Sequence, residues 1–169
     1  MYSIKVRILF AFLAFAGLIY GILEKNTILV GMALLAMALI LNGYYKNGTV
    51  WLANRKLQQG KLDNAEQLLT EVKDAERLSQ NAKAYYFYAN GVIAIHKNDW
   101  AACDEAFERA LKIGLRTTND KAAALVNLAT SAIGQQQLQR AKAYIEEAEQ
   151  LEYKPYLQST IDELKTYFK

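Results

Sequence analysis

Two long apolar runs open the chain, Ile8 to Leu23 and Ile28 to Leu41, and neither contains a charged residue. Each is hydrophobic all round, without the polar stripe that a helix at the surface of a water-soluble core carries, so hydrocarbon is the neighbour this pattern suits. Beyond residue 48 the pattern changes: apolar residues recur three and four apart between charged ones, β-branched alternation is missing, and Pro155 is the one proline. This is amphipathic-helix patterning. An all-α chain is therefore expected, with a lipid-compatible part at 1–46 and a water-compatible part at 47–169.

Crossing about 30 Å of hydrocarbon takes roughly 20 helical residues. Spans over 4–23 and 27–45 reach that length if Lys5 and Arg7 snorkel to the headgroups. Glu24-Lys25-Asn26-Thr27 between them is long enough only for a tight antiparallel hairpin. Basic residues flank the outer ends (Lys5 and Arg7 before, Lys46, Arg55 and Lys56 after), so the positive-inside rule predicts an integral inner (cytoplasmic) membrane protein with both termini cytoplasmic. Tyr2, Tyr20, Tyr44, Tyr45 and Trp51 stand where interfacial aromatics are found. A rival reading takes Met1 to Arg7 as the head of a signal peptide cleaved near Ala14-Phe15-Ala16, but the apolar region left before that site is too short. Gly17 and Gly21 have the G-x-x-x-G spacing that lets membrane helices approach closely.

The second part repeats itself. Gly60-Lys-Leu-Asp-Asn-Ala65 through Val72 aligns with Asn98-Asp-Trp-Ala-Ala-Cys103 through Ala110 and with Gln136-Gln-Leu-Gln-Arg-Ala141 through Ala148, placing Ala65, Cys103 and Ala141 successively 38 residues apart. Leu69, Phe107 and Ile145 follow each by four, and Ala53, Gly91 and Ala129 precede each by twelve. Two antiparallel helices can approach closely where such small residues meet. Asp63 with Glu66, Ser79, Asp99 and Asn119 are expected at helix starts.

This arrangement resembles the tetratricopeptide repeat (TPR), whose second helix carries a small residue, an aromatic or aliphatic one four later, and a small one three further. The period departs from the family's, 38 residues here against the family's shorter one, and the additional residues fall around Asp74 to Ser79 and Gly114 to Asp120. The resemblance implies an α-α superhelix of three repeats at about 49–78, 79–116 and 117–153. Pro155, tolerated at a first helical position, then opens a capping helix at 155–168. It also implies a concave face, lined by the first helix of each repeat, that takes a protein partner: Asn54, Tyr85, Tyr88, Val92, Asn127 and Thr130. The family's two-carboxylate clamp uses Lys and Arg in the groove, where Val50, Ala89 and Ala123 stand here, so an acidic C-terminal tail is not the expected ligand.

Charge and chemistry narrow the function. Residues 1–46 hold four bases and one acid, and the remainder is neutral, without the cationic excess that a nucleic acid needs. One histidine, one cysteine and no glycine-rich phosphate loop argue against an enzyme, a metal centre, a cofactor site or a small-molecule substrate. His96 reads as a helix-end residue and Cys103 as buried packing. The leading expectation is a membrane-tethered protein-interaction adaptor or scaffold. The alternative is a small accessory subunit assembled into a larger membrane complex through its hairpin.

Overall fold

A computed structural model describes residues 4–47 and 49–168, with side-chain surroundings for 10–40 and 49–168. Among the described residues the chain is all-α, with nine helices and two 3-10 turns. It divides into two compact units, 1–46 and 47–169.

The first unit is α1 (Ile4–Leu23) and α2 (Thr27–Asn47). The turn between them is a Schellman closure: the Asn26 N–H donates to the Gly21 carbonyl at 2.9 Å, the Lys25 N–H to Ile22 at 3.2 Å, and Lys25 sits at φ +52°. The apolar side chains point outward on every side, with Phe12 68%, Leu23 75%, Ile28 76% and Met32 67% exposed. Among the described residues no helix is long and apolar enough to cross a membrane. The outer ends of the two expected spans, 4–9 and 41–45, lie outside the residues whose side chains are described.

The second unit is a series of antiparallel pairs, α3 (Val50–Leu57) with α4 (Leu62–Thr70), α5 (Gln80–His96) with α6 (Trp100–Ile113), and α7 (Thr118–Gly134) with α8 (Leu138–Glu149), followed by α9 (Pro155–Lys165). Paired helices of this kind are consistent with a helical repeat, and the backbone repeats with the 38-residue register of the sequence. Within each pair the turn residue, Gly60, Asn98 or Gln136, has positive φ (+71°, +55°, +61°). The residue after it donates five residues back: Lys61 to Lys56 at 3.0 Å, Asp99 to Ala94 at 2.9 Å, Gln137 to Ala132 at 2.8 Å. The turn residue itself donates to Leu57, Ile95 or Ile133, at 2.9 Å in all three. Each first helix thus ends in the same Schellman motif, which satisfies carbonyls a helix end would otherwise strand.

The packing repeats as well. Ala53, Ala65, Cys103, Ala129 and Ala141 are fully buried, and the large residue of each second helix, Leu69, Phe107 or Ile145, is buried beside them. At Gly91 the approach is tight, since a Cβ there would lie 2.7 Å from the Phe107 ring. The additional residues between repeats form a 3-10 turn at Ala75–Arg77, capped by Asp74, and a loop through Gly114 at φ +107°. Ser79 and Asp99 cap α5 and α6 as expected, accepting from the N–H groups of Ala82 and Ala102. The cap of α7 is Thr117, which accepts from the Asp120 N–H at 3.0 Å, whereas Asn119 lies inside the helix and accepts from the Lys154 N–H at 2.9 Å. Ile161 and Leu164 of α9 close the core over Leu125, Val126 and Ile145.

Candidate functional site

The first helices carry the six residues expected to line a concave face. Their surroundings differ. Tyr85 is buried, its ring 4.8 Å from that of Trp51 and 6.3 Å from that of Tyr88, and its hydroxyl donates to the Asp120 carboxylate on α7. Tyr88 is half-buried, edge-on to Phe107 at 5.3 Å and packed beside Leu157 of α9. Burial, reinforced by the Asp120 charge, holds both phenols above the ordinary tyrosine range. These two rings therefore stitch α3, α5, α7 and α9 together.

Asn54, Val92 and Thr130 occupy one register position, each directly after the buried small residue of its helix, and all three are half-exposed. The Asn54 amide donates to the Val50 carbonyl at 2.9 Å and to Tyr85 on the next repeat at 3.1 Å. The Thr130 hydroxyl and the Asn127 amide are spent on their own helix, donating to Val126 at 3.0 Å and Ala123 at 2.8 Å. Such a row, weakly polar and uncharged, suits apolar and backbone contacts more than capture of a charged group.

A second constellation escaped the sequence reading: the polar ties between successive pairs. Lys97 of the second repeat forms an ion pair with Glu66 of the first. One register step on, Gln135 donates to Asp104 at 3.1 Å. Here Arg140 joins in, donating to Asp104 at 2.7 Å and to Glu108 at 2.9 Å, and its guanidinium stacks over Tyr144 at 5.4 Å. The other oxygen of Asp104, Oδ1, is buried without a partner among the described residues. The signal was present in the spacing, because Glu66 and Asp104, like Lys97 and Gln135, are 38 apart.

Two shallow depressions complete the surface. One, of about 200 Å³, is lined by residues of α5 and α6 including Phe87, Asn90, Glu105 and Arg109; the other, of about 320 Å³, lies between α8 and Lys165 and Phe168. His96 is exposed, and among the described residues no three His, Cys, Asp or Glu side chains gather as metal ligands. Cys103 is buried and burial pushes its thiol up to about 11, which leaves it protonated and inert near neutrality.

The glycines of the hairpin are not equivalent. A Cβ on Gly21 would meet Val30 at 3.0 Å and Leu29 at 3.1 Å, so this glycine serves packing within the hairpin. Among the described residues, Gly17 has nothing within 4 Å of that position.

No protein-family model, no curated protein and no solved structure matches the chain.

Proposed function

We propose that the protein is a membrane-tethered, TPR-like adaptor: its hairpin anchors it in the cytoplasmic membrane, and the first-helix face of its repeats holds a protein partner on the cytoplasmic side. The observation that carries this reading is the threefold recurrence of turn and small-residue contact, with a tie at both junctions between repeats, because a stack of such pairs generates an extended surface from its first helices. Asn54, Val92 and Thr130 form one row on that surface. Support for the anchor comes from the exposed apolar side chains of the hairpin, Phe12, Leu23, Ile28 and Met32 among them. Tethering confines adaptor and partner to one surface, which raises their effective concentration.

The test is photo-crosslinking in native membranes from a reactive residue at Val92 or Thr130, compared with one at the exposed Glu147 of α8. Adducts with one protein from the first two positions and none from Glu147 support the adaptor. Adducts confined to a probe at Gly17, with none from the repeats, would replace it with the accessory-subunit reading, which the open space around Gly17 favours. The anchor is checked separately: the chain should stay in the pellet when membranes are washed with alkaline carbonate, and its release would remove the tether from the proposal.

A further inference from the structure

Positive charge is distributed unevenly along the chain. Residues 1–61 hold seven bases and one acid, whereas 62–169 hold thirteen bases and sixteen acids, so a net +6 is followed by a net −3. Within the repeat unit all of the balancing charge comes from Arg55, Lys56 and Lys61, and no acid occurs between Lys46 and Lys61.

The fold gathers these three residues at one corner. Arg55 and Lys56 occupy the last turn of α3, Gly60 reverses the chain, and the Lys61 N–H donates to the Lys56 carbonyl at 3.0 Å. Arg55 and Lys61 are exposed, Lys56 is half-exposed, and among the described residues none of the three is in an ion pair. Of the two acids in α4, Glu66 in the second turn is engaged by Lys97, and Asp63 lies in the first turn.

Two of the cations have a local explanation, since a helix C-terminus favours positive charge. Lys61 does not. It stands at the N-cap of α4, where a cation opposes the helix dipole and can accept no backbone N–H, while the same register position holds Asp99, which caps α6 by accepting from Ala102 at 3.1 Å. A residue unfavourable for its own helix, completing an unpaired basic corner, points to a negatively charged partner.

Connectivity says which partner is at hand. α2 ends at Asn47 and α3 begins at Val50. Along the chain, Lys61 follows the last residue of α2 by fourteen residues, of which the eight of α3 span about 12 Å, and this short tether limits how far the corner can lie from a membrane-anchored hairpin. We infer, resting on the membrane-anchored reading above, that Arg55, Lys56 and Lys61 form a docking corner for the phosphate headgroups of anionic phospholipids. Juxtamembrane clusters of Lys and Arg are drawn to an anionic leaflet within about a Debye length, 8–10 Å at physiological salt, and the net acidity of 62–169 opposes docking through the rest of the repeats.

The full chain is reconstituted into nanodiscs of phosphatidylcholine alone or with 30 mol% phosphatidylglycerol (roughly the anionic content that makes such attraction measurable), each doped with a headgroup spin-labelled lipid. A fluorophore is placed at Gln59→Cys in a Cys103→Ala background, with Glu147→Cys as the reference position. Quenching at residue 59 should rise about twofold in the anionic discs and fall back in 0.5 M salt, roughly where the Debye length drops below 5 Å. The rise should be lost in Arg55→Gln/Lys56→Gln/Lys61→Gln and, independently, in Lys61→Asp, which restores an acidic cap and cannot weaken α4. Equal quenching in the two lipids, or a rise that survives both variants, would overturn the inference while leaving the anchor intact. A chain that fails to co-migrate with the discs would overturn the anchor, and the inference with it.

Discussion

Gln136 adopts φ +61° at the turn where the first repeat has Gly60, and a side chain in that region carries a steric cost of about 1–2 kcal/mol, partly offset by the extra freedom glycine has when unfolded. Gln136→Gly should therefore stabilise the repeat unit by about 0.5–1 kcal/mol. The effect is read as a higher thermal midpoint by circular dichroism of the detergent-solubilised chain. Gly91 presents the opposite case. Its missing Cβ makes room for the fully buried Phe107, so Gly91→Ala should cost about 1–2 kcal/mol even after its gain in helix propensity. Tyr85, Tyr88 and Cys103 predict how stability responds to pH. Each has a folded-state pKa above its unfolded one, so its neutral form stabilises the fold below the unfolded value and that contribution fades as pH rises through the folded value. For Cys103 the window runs from 9.0 to about 11. Alkaline titration should unfold the repeats from pH 9 upward, and Cys103→Ala with Tyr88→Phe should move that transition to higher pH. Unchanged titration of the double variant would show that these groups do not set it.

Among the elements, α3 is the exception: eight residues against seventeen in α5 and in α7. Its place in the register was legible from Ala53, because a small buried residue marks the crossing whatever the helix length. The length itself was not legible, because helix boundaries depend on caps, and Thr49 makes no side-chain capping bond. Asn119 misled for a similar reason. Asn is a good cap residue by type, but Thr117, two positions earlier, is where the chain is still extended and its hydroxyl meets the Asp120 N–H. Of the candidate face, the register identified Asn54, Val92 and Thr130 as equivalent. It did not show that Tyr85 is buried, because that depends on Trp51 and Asp120 arriving from neighbouring repeats. The tie between α6 and α8 also needs the structure. A double-mutant cycle on Asp104→Ala and Arg140→Ala should give a coupling of about 1 kcal/mol or more, above that of an exposed pair, since Asp104 is 15% exposed and accepts a second bond from Gln135. In α9, Ile161 is fully buried, so Ile161→Ala should cost about 2–4 kcal/mol and loosen the third repeat first, seen as faster amide exchange in α8 than in α6.

Over the whole molecule, sequence pattern alone separates two parts with different surfaces. The hairpin's apolar exposure and the amphipathic pairs follow from the same rule applied to different surroundings. No single motif in the chain names a ligand, because a helical-repeat surface specifies what it binds through a row of modest contacts and not through a reactive group. The short α3 has one further consequence. A stack of repeats is stabilised by each unit and by its interface with the next, so the unit with the least helix is the first to open. That unit lies, along the chain, between the hairpin and every other repeat. On the anchored-adaptor reading proposed above, a partner pulled away from the membrane would load α3 and α4 before the rest, and these helices should yield first, lengthening the tether while the second and third repeats stay folded.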